Sequence, residues 1–487
     1  MKNFAALFCL CVSALAAPPT VLLPGKSPLV TFRFVFLTGA ASDPVDKPGL
    51  ANLTCETLSL SGTKQMKYKQ IVDALFPMAV QIQSYTDKQM MTFTAETHVD
   101  NLEKFYTIFK AMLLDPGWRD EDFRRVKDDQ INALKVSLRG NNDEELAKEE
   151  LYNLLYPGHP YGHENLGTVS SLEKLTLDDV KAFYKAHLTK GTLIIGLAGG
   201  YPADFPARVE KDFSVLTKAV PSQPVLLAPA PINGNKLTII QKDTRSVAYS
   251  LGFPLDVKRG DKDFPALLLV QSYFGQHRES GGRLYQRMRE LRGLNYGDYD
   301  YIEYFPNGMF MFEASPNLAR QQQIFQIWIR PVEVPTAVFS LKLAMFELDR
   351  LVKDGLSEEE FQRTRSFISK QVNLLTKTKS GELGYAIDSA FYGMGDYNAT
   401  IKKALTGLTR DQVNTAIRKH LRSDNLQIVA VAKDAEGLKA KLLSADASPM
   451  TYNSPKDATV MEEDKTVERW NLRIKDVTII PVEQVFQ

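Results

Sequence analysis

The sequence predicts an α+β fold built from two tandem copies of one unit, and three observations support this prediction. The length of 487 residues exceeds that of one ordinary domain. A threonine-capped amphipathic helix, a His-Leu pair and an apolar strand occur in this order over 175–198 and again, at the same internal spacing, over 408–431. The strand-like runs do not alternate strictly with helices, which favours a mixed, largely antiparallel sheet with helices packed on it over a doubly wound parallel one.

Two further pairs of segments support the repeat. Acidic residues begin one predicted helix at 120–123 and another at 357–361, and the N-terminal end of the helix dipole favours such negative charges. An Asp-Lys pair precedes a helix at 46–47 and again at 261–262. The predicted strands are Val30–Leu37, Met90–Ala95, Lys236–Gln241, Val247–Phe253, Met309–Ala314 and Val477–Val482.

Proline spacing predicts the division of the chain. The prolines between 220 and 235 favour an extended, semi-rigid linker. We therefore expect a signal peptide, an N-terminal domain, a linker, a C-terminal domain and a tail that packs back onto a domain. The respective bounds are 1–16, 17–219, 220–235, 236–445 and 446–487.

The N-terminus has the order of a secretory signal. Lys2 precedes an apolar run over 4–12 and small residues up to a predicted cleavage after Ala16. Cleavage would leave Cys55 as the single cysteine, so the mature chain cannot form an internal disulfide. A net charge of +1 gives no reason to expect nucleic acid as a partner, and no later apolar run is long enough to span a bilayer. We expect a periplasmic or secreted protein.

Several short motifs follow one another in a fixed order between about residues 27 and 440. They are Thr38–Pro44, Pro48–Ala51, Gly62-Thr63, Leu114–Pro116, His159–Gly162 and Arg283–Tyr296. Together with the two-copy layout, this series resembles the insulinase/pitrilysin metallopeptidase family, in particular its bacterial members and relatives of the mitochondrial processing peptidase. The resemblance implies two units that form half of a clam-shell chamber.

The resemblance also implies where zinc would bind. Active members carry H-x-x-E-H on the first helix, because histidines at i and i+4 share a helix face and the glutamate beside them activates the zinc-bound water. Here the corresponding positions hold Asn52, Cys55 and Glu56. The position of the third ligand, a glutamate on a later helix, holds Gln130. The zinc motif is therefore degenerate, and we expect no metal in this chain.

Two alternatives to an empty, structurally filled site remain open from the sequence. Cys55, Glu56 and Gln130 could form an altered metal site. Adjacent residues such as Cys55 and Glu56 do not share a helix face, however, so they cannot easily bind the same metal ion, and an amide binds zinc poorly. Cys55 could instead be the nucleophile of a self-sufficient hydrolase. We favour a third role for Cys55, that of a small buried apolar side chain.

The second half keeps a motif that the family uses for substrate. Arg289 and Tyr296 are seven residues apart across a Gly-Leu turn. The resemblance implies that both project into the chamber opposite the zinc. The guanidinium would donate to a substrate carbonyl, and the phenol would donate to the oxyanion that develops during hydrolysis.

The function implied by these features is that of a non-zinc subunit in a two-subunit peptidase that cleaves unfolded peptides. A zinc-binding family member would be the partner, and the present chain would be inactive alone. The extended segment over 84–95 would bind substrate by strand addition. The alternative is a catalytically inert structural or peptide-binding homologue.

Overall fold

A computed structural model describes residues 20–487; the predicted signal peptide, 1–16, lies outside the described residues. The strands, β1 to β11 in chain order, are Val21–Pro24, Leu29–Phe36, Gln83–Thr86, Met91–His98, Leu193–Gly199, Asn235–Gln241, Ser246–Leu255, Asp298–Tyr301, Gln323–Glu333, Gln427–Ala432 and Ile474–Pro481. The α-helices, α1 to α16, are Leu50–Ser59, Tyr68–Leu75, Leu102–Leu114, Asp120–Asn132, Asp143–Leu155, Val169–Lys174, Leu177–His187, Phe205–Asp212, Phe264–Gly275, Ala337–Asp354, Glu358–Gln371, Lys379–Phe391, Tyr397–Gly407, Arg410–His420, Ala435–Leu443 and Ala458–Val467. Two π-helical segments span Ala133–Leu138 and Tyr285–Glu290.

The two sheets repeat one topology, which confirms the predicted α+β duplication. The first sheet has the order β1-β5-β2-β4-β3, and the second has β11-β6-β10-β7-β9-β8. Removing β11 leaves the same arrangement in both, with one parallel pair, β1 with β5 or β6 with β10, and antiparallel pairs elsewhere. The threonine caps of the sequence repeat, Thr176 and Thr409, both form capping boxes at the starts of α7 and α14.

Each unit also covers the sheet of the other. Helix α5 of the first unit packs on β7, β9 and β10, and the corresponding helix of the second unit, α12, packs on β1, β2 and β5. Exchanging one helix buries the second face of each sheet, so neither unit completes its core alone. The two units are therefore interlocked by packing.

The segments outside the two units cross between them. Residues 217–233 contain no helix or strand. After α16, strand β11 adds in parallel to β6 at the edge of the second sheet. The chain then returns to the first unit, where Phe486 O accepts from Val169 N at 3.0 Å and Val485 and Phe486 join the first core.

Two strand predictions need correction. Met309–Ala314 is not a strand, because it lies in the irregular segment 302–322 that joins β8 to β9, where Asn307 has φ +55° and the alternate rings of Phe310 and Phe312 are exposed. Its alternating apolar residues match the pattern of a half-buried strand, but the segment does not belong to a sheet. The extended segment over 84–95 is a hairpin of β3 and β4, and the turn between them separates an edge strand from an interior one.

No helix within residues 20–487 combines the length and apolar character needed to cross a bilayer.

Candidate functional site

The start of α1 is held by a carboxylate and a glycine. Asp43 accepts hydrogen bonds from Gly49 N and Ala51 N, both at 2.7 Å. Gly49 has φ +92°, and a Cβ there would lie 2.4 Å from Leu166 O. Only glycine fits this left-handed position beside another backbone segment, so the Gly-Leu-Ala motif serves to seat the helix.

Two of the four zinc-motif positions share a cavity. Asn52 and Glu56, one turn apart on α1, line a cavity of about 750 Å³ together with the π-helical segment Ala133–Leu138 and helix α5. Asn52 is buried, and its Nδ2 has no partner by hydrogen-bond geometry. Burial raises the pKa of the Glu56 carboxyl, an effect that the nearby Asn52 amide offsets in part. The two side chains present an amide and a carboxyl to the cavity.

Other carboxyl groups line the same cavity. Burial raises the pKa of Glu149 to about 7 and that of Glu164 to about 8, because desolvation disfavours the charged form. The second unit closes the opposite side with segment 302–322: Tyr304 donates its hydroxyl to Glu149 at 2.9 Å, and Asn307 N donates to Glu145 at 2.7 Å. The side of α1 that carries Asn52 and Glu56 therefore faces the other unit of the same chain.

Cys55 does not line that cavity. It is fully buried within the first core, and desolvation raises its thiol pKa to about 12. A thiol in this environment remains protonated at neutral pH, which removes its nucleophilicity. It also belongs to no group of three His, Cys, Asp or Glu side chains within residues 20–487 that could hold a metal ion. The structure thus disfavours the two alternatives in which Cys55 takes part in chemistry.

We expect Cys55 to resist alkylation in the folded protein. Iodoacetamide at pH 8 should modify it at least about 100-fold more slowly than in the urea-unfolded chain, because attack requires an exposed thiolate. Peptide mass spectrometry of the Cys55 fragment measures both rates. Equal rates in the two states would contradict this assignment.

Gln130 is used for structure. It is 1% exposed, and its Nε2 donates to Gly49 O at 3.1 Å and to Leu166 O at 2.8 Å. The amide thus joins α4, the start of α1 and the loop before α6. A glutamate could not donate either bond when ionised, so the residue at the expected ligand position has a role for which a metal-binding carboxylate is unsuited.

Replacing Gln130 with glutamate should destabilise the protein by about 2–5 kcal/mol, because a buried carboxylate would face two carbonyl oxygens. Gln130→Met, which also removes both bonds but adds no charge, should cost about 1–3 kcal/mol. Urea unfolding followed by circular dichroism gives both values. If the glutamate variant were as stable as the parent protein, the donor role of this amide would be wrong.

These side chains do not fit a zinc ion. Zinc in proteins is bound by thiolate, imidazole or carboxylate in a tetrahedral set. Cys55 and Glu56 face different surroundings, and the Gln130 nitrogen is directed at two carbonyls. Within residues 20–487 no three His, Cys, Asp or Glu side chains form a group that could hold a metal ion.

Arg289 and Tyr296 lie together, outside the cavity that holds Asn52 and Glu56. Arg289 is the penultimate residue of the π-helical segment Tyr285–Glu290, and its Nη1 donates to Tyr296 O at 2.9 Å. Its guanidinium carbon lies 5.0 Å from the centre of the Tyr285 ring and 5.7 Å from that of Tyr296, within cation–π range of both. Tyr296 is 74% exposed. The pair presents an aromatic-flanked guanidinium and a free phenol on the surface.

The turn between them needs glycine. Gly293 has φ +69°, its N–H donates to Arg289 O at 2.8 Å, and Leu294 N donates to Met288 O at 3.1 Å. This closes the helix in a left-handed turn that reverses the chain toward Tyr296. Sequence reasoning missed Tyr285, although its position four residues before Arg289 is a helical spacing at which side chains meet.

The comparisons with known proteins agree with this architecture. The family model described as insulinase (peptidase family M16) matches residues 21–169, and the model described as peptidase M16 inactive domain matches residues 174–367. An uncharacterized zinc protease of Rickettsia bellii is 24% identical over 368 residues, covering 74% of this chain and 82% of that protein. The non-peptidase homolog YmxG of Helicobacter pylori is 21% identical over 413 residues, covering 83% and 89%.

Solved structures share the fold. The peptidase M16 inactive domain from Pseudomonas fluorescens matches with a TM-score of 0.72 at 22% identity, covering 90% of this chain and 96% of that chain. The periplasmic protease PqqL from Escherichia coli matches with a TM-score of 0.65 at 14% identity, covering 93% of this chain but 49% of that one. The present chain thus has the architecture of about half of PqqL.

Proposed function

Because the chain belongs to the insulinase family, peptidase family M16, we propose that it is the non-zinc subunit of a two-subunit peptidase, to whose active site it contributes Arg289 and Tyr296. The observation that carries this proposal is a contrast between the two units. In the first, two of the four zinc-motif residues are used for structure, Cys55 by burial and Gln130 by hydrogen bonding, whereas the second holds Arg289 and Tyr296 together with the Tyr296 ring exposed.

The exposed pair has the chemistry required of a transition-state donor. The Tyr296 hydroxyl would donate to the oxyanion that forms when water attacks a peptide carbonyl, and Arg289 would donate to a neighbouring substrate carbonyl. Water competes with such donors on an open surface, so they become effective only when a second body excludes solvent. A partner subunit that closes over this face would supply the enclosure, together with the zinc and the water-activating glutamate.

The likeness to one half of PqqL supports a two-body arrangement. PqqL is a single chain about twice as long as the region it shares with this protein. We propose that a separate family member with an intact H-x-x-E-H helix takes the place of the other half of PqqL, and that the two bodies close as a clam-shell. We propose, from the predicted signal peptide, that this assembly works in the periplasm or outside the cell.

The free edge of β3 is the proposed path for the substrate backbone. Strand β3 pairs with β4 on one side only, at the end of the first sheet. A groove of about 1000 Å³ adjoins its first residue, Gln83, with Phe76 82% exposed and Val72 45% exposed on its wall. An extended peptide can add to such an edge through backbone hydrogen bonds and place an apolar side chain in the groove.

Co-purification tests the proposal. The tagged chain, captured from its source cell, should bring down a family member with intact zinc ligands; metal analysis should find one zinc per complex and none in the isolated chain. Neither subunit alone should cleave an unfolded peptide, and the mixture should. Peptide cleavage by the isolated chain, or a mixture that remains inactive with its co-purified partner, would overturn the proposal.

An inert peptide-binding homologue is the second candidate. The H. pylori relative is described as a non-peptidase homolog, and the groove beside β3 does not depend on Arg289 or Tyr296. This alternative predicts that the isolated chain binds an unfolded peptide and that Arg289→Ala/Tyr296→Phe changes no measurable activity in any complex. Fluorescence anisotropy with a labelled peptide, paired with the reconstitution assay, separates the two candidates.

A further inference from the structure

The C-terminal helix α16 contacts the back of the Arg289–Tyr296 segment. Arg292 lies in the turn, is 3% exposed, and directs its Nε and Nη2 at Asp464 Oδ1, both at 2.8 Å. Its Nη2 also donates to Glu463 at 2.7 Å. The paired carboxylates therefore hold the turn through its buried arginine, whereas the phenol of Tyr296 is exposed.

The same arginine closes the turn internally. Arg292 Nη1 donates to Arg287 O at 2.9 Å, within the π-helical segment. Arg287 in turn bonds to Glu347 of α10 at 2.8 Å and contacts Glu463. Turn, π-helical segment and α16 thus form one network of charge-assisted hydrogen bonds, which are shorter and stronger than neutral ones.

Helix α16 is itself firmly seated. Its buried Val460 and Val467 face the second unit, and the chain just after it stacks Trp470 edge-on against Phe346 of α10 at 5.0 Å. Asp464 is 5% exposed, and its second oxygen accepts from Tyr452 OH at 2.5 Å. Because both oxygens are engaged, the carboxylate has one defined position from which to fix Arg292.

By contrast, the exposed Tyr296 ring lies outside the core and contacts Arg289. Tyr296 is 74% exposed, so core packing does not hold its ring. The position of its phenol depends on the backbone of the turn and on the bond from Arg289 to its carbonyl. Donors of this kind contribute to catalysis only when they are preorganised. The network behind the turn is the element that can preorganise them.

We infer that Asp464, supported by Glu463, is a positioning residue that holds Arg289 and Tyr296 in their working geometry. This inference rests on the proposed function for its catalytic consequence. It assigns a role to α16, which lies beyond the residues matched by the two family models. The C-terminal tail thereby becomes part of the site without touching substrate.

Hydrogen–deuterium exchange of the full chain tests the structural part without any partner. Asp464→Asn should speed exchange of the amides at 291–294 by about 10-fold or more, while α10 and β9 keep their protection. The matched control is Glu462→Gln on the same helix, because Glu462 is exposed and pairs only with exposed Lys465. Arg292→Lys removes the guanidinium that donates to Asp464 and Glu463, and it should speed exchange of the same amides at 291–294.

The catalytic part is tested in the reconstituted complex. Asp464→Asn should lower kcat by about 10-fold with little change in KM, and this loss should vanish when Tyr296→Phe and Arg289→Ala are already present, because a positioning residue acts through the groups it holds. Asp464→Glu should recover part of the rate.

Unchanged exchange at 291–294 in both Asp464→Asn and Arg292→Lys would overturn the inference, whatever the activity. The inference would also be overturned if Asp464→Asn lowered kcat as much in the Tyr296→Phe/Arg289→Ala background as it does in the parent complex. If local exchange rises as expected while no complex shows peptidase activity, the proposed function fails and the structural role of Asp464 stands.

Discussion

Replacing Tyr296 with phenylalanine is expected to lower kcat of the assembled peptidase by about 100-fold or more, with a much smaller change in KM. The change removes one hydroxyl from a ring that is 74% exposed, so folding should be unaffected. The lost group is a donor to the oxyanion, whose charge exists in the transition state and not in the bound substrate. Steady-state cleavage of a quenched fluorescent peptide by the reconstituted complex measures both constants.

Tyr285→Phe provides the matched control. Its ring lies 5.0 Å from the Arg289 guanidinium, and phenylalanine keeps that face. This variant should retain turnover within about 3-fold of the parent complex. Parent-like turnover in the Tyr296→Phe complex would refute the oxyanion role, and equal losses in both variants would indicate a general disturbance of the segment.

Removing the carboxylate of Asp87 is expected to destabilise the protein by about 3–5 kcal/mol, the largest stability effect we anticipate. Asp87 is fully buried in the turn between β3 and β4, and it accepts from Arg320 Nε at 2.8 Å in a charged pair that joins the two units. The Arg320 guanidinium lies 3.6 Å from the Tyr304 ring centre, enclosed on all sides. Asp87→Ala would leave that charge buried without a partner.

Two further variants identify the cause. Asp87→Ala/Arg320→Met removes the uncompensated charge as well and should recover much of the loss. Glu382→Gln breaks an exposed pair with Lys379 and should cost under about 1 kcal/mol. Urea unfolding monitored by fluorescence compares all three. If Asp87→Ala cost no more than Glu382→Gln, the buried pair would not be a link between the units.

The fold was largely predictable because its signals are local. In each copy, the capping threonine (Thr176 or Thr409) and the apolar strand that follows it lie within about 25 residues. Short-range hydrogen bonding and periodicity decide such elements. The prediction of a strand at Met309–Ala314 was wrong. Its apolar residues alternate as they would on one face of a sheet, but the segment is irregular and belongs to no sheet. Just before it, Asn307 N donates to Glu145 of α5, far away in the chain.

Helix α5 shows the limit of sequence reasoning most clearly. Its sequence is rich in charge and resembles a solvated helix, yet Glu145, Lys148 and Glu149 are all buried. Their partners, Phe305 O, Asn307 N and the Tyr304 hydroxyl, come from the second unit. No local pattern indicates that two units exchange helices, because the free energy of this arrangement comes from pairing groups distant in sequence.

By itself, the sequence determined the duplicated α+β architecture, the family, and the absence of the H-x-x-E-H residues, since each depends on residue identity at short spacing. It also predicted that Arg289 and Tyr296 belong together, since a seven-residue separation across a Gly-Leu turn restricts where they can point. Tertiary structure alone decided that Gln130 donates to two carbonyls, that Cys55 is fully buried, and that Asp464 accepts from Arg292 in the turn. Burial and hydrogen-bond direction depend on which distant surfaces meet, and that is settled only when the chain has folded.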